Sequence, residues 1–250
     1  MKRTIMAAAI AALCAAALPA QDAPATIAKA DELTAQWFVP EKAQECYQLL
    51  KAAAAADTGN FDLQWRLARI CFKIADRSND SELRKRIGKE GYQAGHRASR
   101  LKPERVEGYF WGGVALGKYS EGTGILKSIK EGNKGKYERM IDGAIKIDKL
   151  YDDGGPLRAK GLFYARLPWP MRDRSRAMEL LNQALQAEGK HARTTYYMAE
   201  VLYDDGKYPQ CQDLLNQVLD APFQGDDEGE RQLVKGWAQE MLQKVEAKLK

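Results

Sequence analysis

The sequence predicts an all-α chain in which pairs of helices stack on one another, and three observations lead there. The 250 residues are rich in Ala, Leu, Lys, Gln and Glu, poor in runs of Val, Ile and Thr, and place most of their nine prolines at segment edges, so helix-forming residues dominate wherever a segment is long. Small residues recur in the middle of amphipathic segments, where two helices can approach closely. Each such segment is followed, after a turn or an insertion, by a second of the same kind. Apolar residues make up 45% of the chain, and 39 Lys plus Arg stand against 34 Asp plus Glu, which describes a globular protein and argues against a nucleic-acid binder.

Residues 1–20 read as a secretory signal peptide: Lys2 and Arg3 start it, Ile5 to Leu18 are nearly all apolar, and Leu18-Pro19-Ala20 precedes a cut after Ala20. The apolar run of about fourteen residues is shorter than the roughly 20 that span a bilayer. Residues 21–250 are therefore expected to form a single solenoid domain, periplasmic or secreted, with a net charge of +3 once the two leader cations are gone. Leu13 stands before Cys14 where lipid attachment needs a small residue, so no lipid anchor is expected. Cys46, Cys71 and Cys211 remain, enough for at most one disulfide, and the sequence does not decide whether Cys46 pairs with Cys71.

PEKAQECYQLLKAAAAADTGN, with Cys46 and Ala53, has the pattern of the second helix of an N-terminal partial unit. FDLQWRLARICF then pairs with GYQAGHRASRLKPE through Ala68, Cys71 and Ala98, and GYFWGGVALGKY pairs with KYERMIDGAIKID through Gly113, Leu116, Ile141 and Ala144. Both pairs carry insertions of about a dozen residues, near 76–90 and 119–136, relative to a 34-residue helical-pair unit. PLRAKGLFYARL pairs with SRAMELLNQALQAEG through Gly161, Ala177 and Leu181, the break between them forced by Pro168-Trp169-Pro170-Met171. The clearest unit is TTYYMAEVLYDDGKYPQCQDLLNQVLDAP, in which Ala199 precedes Cys211 by twelve residues, Leu215 and Val218 follow, and Gly206 and Tyr208 mark the turn. That is the tetratricopeptide pattern. Leu233, Trp237, Met241 and Val245 at helical spacing predict a closing helix over about 230–250.

WRLARICF, VEGYFWGGVALG, an insertion ending in IKEG, DDGGPLRAKGLFYARLPWP and TTYYMAEVLYDDGKY together resemble the TatT family. These are periplasmic tetratricopeptide proteins associated with TRAP-type tripartite transporters, similar in turn to the eukaryotic regulators of microtubule dynamics. The resemblance runs over roughly residues 38 to 223, and its most specific stretch is GGPLRAKGLFYARLPWP. It implies a helical solenoid whose partner is the substrate-binding protein of a TRAP transporter, and an assembly into a ring with its grooves facing that partner.

Catalytic constellations are not found. GGVALGKY nearly spells the phosphate-binding loop GxxxxGK[ST], yet Tyr119 replaces the Ser or Thr that holds magnesium and no apolar strand leads in, so Gly113 reads as a helix-crossing site. The Asp152-Asp153, Asp204-Asp205 and Asp226-Asp227 pairs sit at helix ends, where acids cap helices or solvate turns. His96 and His191 have no nucleophile or metal partner at a recognised spacing, and the cysteines occupy packing positions. No enzyme activity, cofactor or metal is expected.

Function is expected on the face lined by the first helix of each pair. Inward positions flank the small sites at steps of about three and four, and around Ala68, Gly113, Gly161 and Ala199 that face is read as Trp65, Arg69, Lys73, Phe110, Lys118, Arg158, Arg166, Tyr196 and Tyr203, with Phe72 and Glu200 beside them. Aromatic rings interleaved with Arg and Lys suit an apolar or anionic small ligand, or a protein partner with an acidic, apolar strip. Arg69 and Arg158 are expected on a solvated groove. The chain is thus read as a non-enzymatic scaffold, the TatT-type accessory of a TRAP transporter; the alternative is an envelope assembly factor that recognises protein partners only.

Overall fold

The computed structural model describes residues 23–188, 192–220 and 228–250. The expected signal peptide with Cys14, and also His191, Pro222 and the Asp226-Asp227 pair, lie outside the described residues. Among the described residues there are twelve helices and no strand. They run α1 (Ala23–Ala35), α2 (Pro40–Ala56), α3 (Phe61–Arg77), α4 (Ser81–Leu101), α5 (Val106–Thr123), α6 (Ile125–Lys130), α7 (Asn133–Asp148), α8 (Tyr151–Arg166), α9 (Arg174–Glu188), α10 (Ala192–Asp204), α11 (Tyr208–Asp220) and α12 (Glu228–Leu249). The helical pairs are α1 with α2, α3 with α4, α5 with α7, α8 with α9, and α10 with α11, and α12 closes the stack against α11. The N-terminal unit is therefore a whole pair, its first helix being the segment before Pro40.

Local chemistry starts these helices where the sequence provides it. Asn60 caps α3 by accepting from the backbone N–H of Asp62 and Leu63, and Asp80 caps α4 through Glu82 and Leu83. Pro40 opens α2, where its missing N–H costs nothing. The insertion expected near 76–90 is taken up almost wholly as helix: α3 ends at Arg77 and α4 begins at Ser81. That near 119–136 extends α5, forms the short α6 and starts α7. Gly124 (φ +90°) and Gly132 (φ +75°) bracket α6 in conformations that side chains rarely adopt.

Close packing falls on the small residues. A Cβ on Gly95 of α4 would stand 2.3 Å from Gly112 Cα of α5, and one on Gly108 would stand 2.5 Å from Ser99 N, so these two backbones touch. Gly113, read from the sequence as a crossing site, meets the Ile141 side chain of α7, and Gly161 meets Leu181 of α9. The buried apolar side chains form two large clusters, one spanning α1 to α8 and one spanning α8 to α12. In α12, Val234, Ala238 and Val245 are buried while Leu233, Trp237 and Met241 are only partly so, a shift of one position along most of the expected stripe. Cys46, Cys71 and Cys211 are buried free thiols, so Cys46 and Cys71 are not bridged.

Candidate functional site

The first helices α3, α5, α8 and α10, together with α6, α7 and α12, surround a cavity of about 210 Å³. Its walls are aromatic: Phe72, Phe110, Trp111, Tyr137, Phe163 and Tyr197. Tyr137 stacks on Phe163 at 4.8 Å between centroids and donates its hydroxyl to the Ala159 carbonyl at 3.0 Å. Phe110 stands edge-on to Trp111 at 4.7 Å, and the Trp111 indole N–H donates to the Tyr151 hydroxyl at 2.9 Å. These bonds use the polar ends of the rings and leave their bodies as wall. Ile125 and Ile129 of α6 also line the cavity, so the insertion covers part of it. Ser128 fastens that helix, sharing a 2.7 Å hydrogen bond with Ser120 and accepting from Asn133 at 3.1 Å.

A chain of ion pairs runs beneath and beside the walls. Asp76, only 2% exposed at the end of α3, binds Lys118 of α5 at 2.9 Å and Arg193 of α10 at 2.8 Å. Arg193 also grips Glu230 of α12. Lys118 further binds Glu121 at 2.9 Å, and Arg166 of α8 bridges Glu121 at 2.7 Å and Glu200 of α10 at 2.9 Å. Burial alone would raise the Asp76 carboxyl, but Arg193 and Lys118 outweigh it and hold it well below the usual carboxylate range. Burial likewise opposes the charge on Lys118, yet Asp76 and Glu121 raise its ammonium above its ordinary value. The network therefore keeps its charges inside the fold and ties five helices together.

At the start of α8 the backbone departs from a helix. Asp152 (φ +52°), Asp153 (φ +53°) and Gly154 (φ +73°) are left-handed, a strained conformation for the two aspartates. Arg158, 6% exposed, holds this turn by donating to the Asp153 carbonyl at 2.9 Å and the Asp152 carbonyl at 3.2 Å. Both aspartates line the cavity and keep their side chains exposed there. This pair therefore sits at a helix end and in a turn, as the sequence implied, and is also part of the cavity wall.

Five of the nine residues selected from the sequence line the cavity together: Lys73, Phe110, Lys118, Arg158 and Arg166. The other four lie elsewhere. Trp65 donates to Asp62, and Arg69 pairs with Asp31 of α1 at 2.7 Å, both nearer the start of α3. Tyr196 packs on Trp237 of α12 at 5.5 Å, and Tyr203 on Tyr208 at the start of α11. Two of the lining cations are not solvated: Lys118 and Arg158 are buried and already paired, and the expectation of a solvated Arg158 is corrected. Asp76, Glu121, Tyr137, Phe163, Arg193, Tyr197 and Glu230 were not selected. Continuing the stripe one more turn from Phe72 and Lys118 reaches Asp76 and Glu121, and moving the α10 register by one reaches Arg193 and Tyr197.

Stacked helical pairs with small residues at their crossings, and a cavity on the face of their first helices, define a tetratricopeptide-type scaffold suited to protein interaction. A tetratricopeptide repeat model matches residues 171–228. The model of the regulator of microtubule dynamics protein 1-3 family matches residues 26–153, just over half of the chain. The chain belongs to that family. It is 25% identical over 183 residues to regulator of microtubule dynamics protein 3 of Rattus norvegicus, a match covering 73% of this chain and only 38% of that protein's length. Its fold is similar to that of TTC0263, a thermophilic tetratricopeptide protein of Thermus thermophilus, with a TM-score of 0.63, 15% identity, and coverage of 86% of this chain and 98% of that one.

Proposed function

We propose that this protein is a non-enzymatic periplasmic binding scaffold of the TatT type, an accessory of a TRAP transporter whose cavity receives an apolar group, with or without an anionic end, from a small ligand or from the transporter's solute-binding protein. The observation that carries this reading is the aromatic-walled cavity beside an ion network that is already paired within the fold. Among the described residues neither His nor Cys lines the cavity, and its two serines bond to one another, which suits holding and not turnover. A cavity of about 150 Å³ accepts benzene, so this one accommodates a group somewhat larger than one aromatic ring. The composition of residues 1–20 supports the periplasmic setting, and GGPLRAKGLFYARLPWP supports the transporter.

Tagged protein and its Val114→Phe variant, which narrows the cavity from α5, are incubated with envelope extract. Recovery of a solute-binding protein by the wild type and its loss with the variant, at equal melting temperature, support the proposal. Equal recovery by both removes the cavity from the interaction, and recovery of outer-membrane or cell-wall machinery instead replaces the transporter with envelope assembly.

A further inference from the structure

Several charges on the surfaces of these helices are answered within the same helix. Lys29 pairs with Glu32, Lys42 with Glu45, Lys85 with Glu82, Lys134 with Glu138, and Arg176 with Glu179, each three or four residues apart. On α4, unanswered cations gather along one face. Arg86, Lys89, Gln93, Arg97 and Arg100 follow one another at steps of three and four residues and are all exposed, so they share one face. The opposite face, with Ile87, Gly91, Ala94, Gly95 and Ala98, is buried. Arg139 of α7, also exposed, adds its charge beside Tyr92 and His96 at the far end of the stripe. Among the described residues Arg86, Lys89, Arg97, Arg100 and Arg139 have no ion pair or hydrogen bond, and the intervening acid, Glu90, is bound to Tyr47 and Lys51. None of the five lines the cavity.

Like charges three or four residues apart cost a helix about 0.2 to 0.5 kcal/mol per pair. An unanswered row of them therefore lowers stability while concentrating a positive field along one surface. We propose that this stripe of α4, extended by Arg139, is a docking surface for an extended acidic segment of a protein partner.

Spacing and length both fit that occupant. Side chains at helical steps of three and four stand about 5 to 6 Å apart, while alternate residues of an extended peptide stand about 6.6 Å apart. Carboxylates at every second position of such a segment thus meet Arg86 and Lys89, pass neutral Gln93, and meet Arg97 and Arg100. Arg86 to Arg100 spans about 21 Å of helix, the reach of about six extended residues. A membrane surface fits less well, because helices that lie on membranes set apolar side chains beside their basic ones. Here the apolar face of α4 is spent in the core, and Leu101 alone stands exposed at its end. At the same end Tyr92, His96, Arg97, Arg100 and Leu101 border a shallow depression that can seat one side chain of the segment.

The test uses the full chain and a labelled peptide of about eight residues alternating Glu and Ala, followed by fluorescence anisotropy at low salt and at about 0.3 M salt. Binding of the Glu peptide, a loss of at least tenfold in the higher salt, and no binding of the same peptide with Gln for Glu are expected. Arg97→Glu with Arg100→Glu weakens binding at least tenfold while the melting temperature is unchanged, because both side chains are exposed and unpaired. Equal binding by that variant, equal binding of the Gln peptide, or absence of Glu-peptide binding overturns the proposal. Vesicles rich in phosphatidylserine form a second arm: cosedimentation with them in place of peptide binding assigns the stripe to a membrane and overturns the protein partner.

Discussion

Replacing Asp76 with Asn is expected to destabilise the protein by about 3 kcal/mol. Asp76 is 2% exposed and binds two cations that are themselves buried, Lys118 at 2.9 Å and Arg193 at 2.8 Å. Breaking a buried pair costs about 3 to 5 kcal/mol when a charge is left alone. Each cation here retains one carboxylate, Glu121 for Lys118 and Glu230 for Arg193, which places the loss at the low end of that range. For a chain of this size about 3 kcal/mol corresponds to a fall in Tm of about 6 to 12 °C. Urea unfolding at neutral pH measures the difference directly. The pH dependence provides a second check: the folded carboxyl titrates below its unfolded value of about 3.9, so the stability it contributes is present above that pH and is lost as pH falls through the folded value. The gap between wild type and variant should therefore close progressively below about pH 4. A loss under about 1 kcal/mol at neutral pH, the range of surface pairs, would refute the argument that the network is desolvated.

Further expectations concern packing and the cavity wall. Gly95→Ala should cost about 1 to 3 kcal/mol in thermal unfolding, because its methyl would meet the Gly112 backbone of α5 rather than a flexible side-chain end; an unchanged Tm contradicts the close α4–α5 contact. Gly161→Leu should cost a similar amount against Leu181 and the Ala177 carbonyl, and a neutral result in the same assay argues against that crossing. Arg158→Glu and Arg69→Glu should differ at one place: the first removes the donor that holds the left-handed turn at Asp152 and Asp153, while the second breaks the partly buried pair with Asp31 and leaves that turn's donor in place. Proteolysis that opens residues 151–155 in the first variant alone checks this, and equal sensitivity of the two refutes it.

Sequence patterns located the helices and their crossings because both depend on neighbours three and four residues away. Gly113 and Gly161 were legible as crossing sites for that reason, as were Cys46, Cys71 and Cys211 as packing residues. The same counting separated Lys73, Phe110, Lys118, Arg158 and Arg166 from solvent-facing neighbours, since they lie on first helices at inward steps. It failed at the start of α3, where Trp65 and Arg69 lie outside the cavity, and in α10, where one position of register exchanges Tyr196, covered by α12, for Tyr197 in the cavity wall.

What the sequence by itself determined is the class of architecture: paired helices, the places where only small residues permit contact, and the prolines that end α8. Those are local properties, set by propensity, periodicity and chain stiffness. Only the tertiary structure decided which charges meet. Asp76 and Arg193 are 117 residues apart in the chain and 2.8 Å apart in space, and no periodicity within either helix encodes that distance. The same holds for α6 over the cavity and for the strained turn that carries Asp152 and Asp153, because both depend on how successive pairs are offset and on desolvation that exists only once the helices have packed.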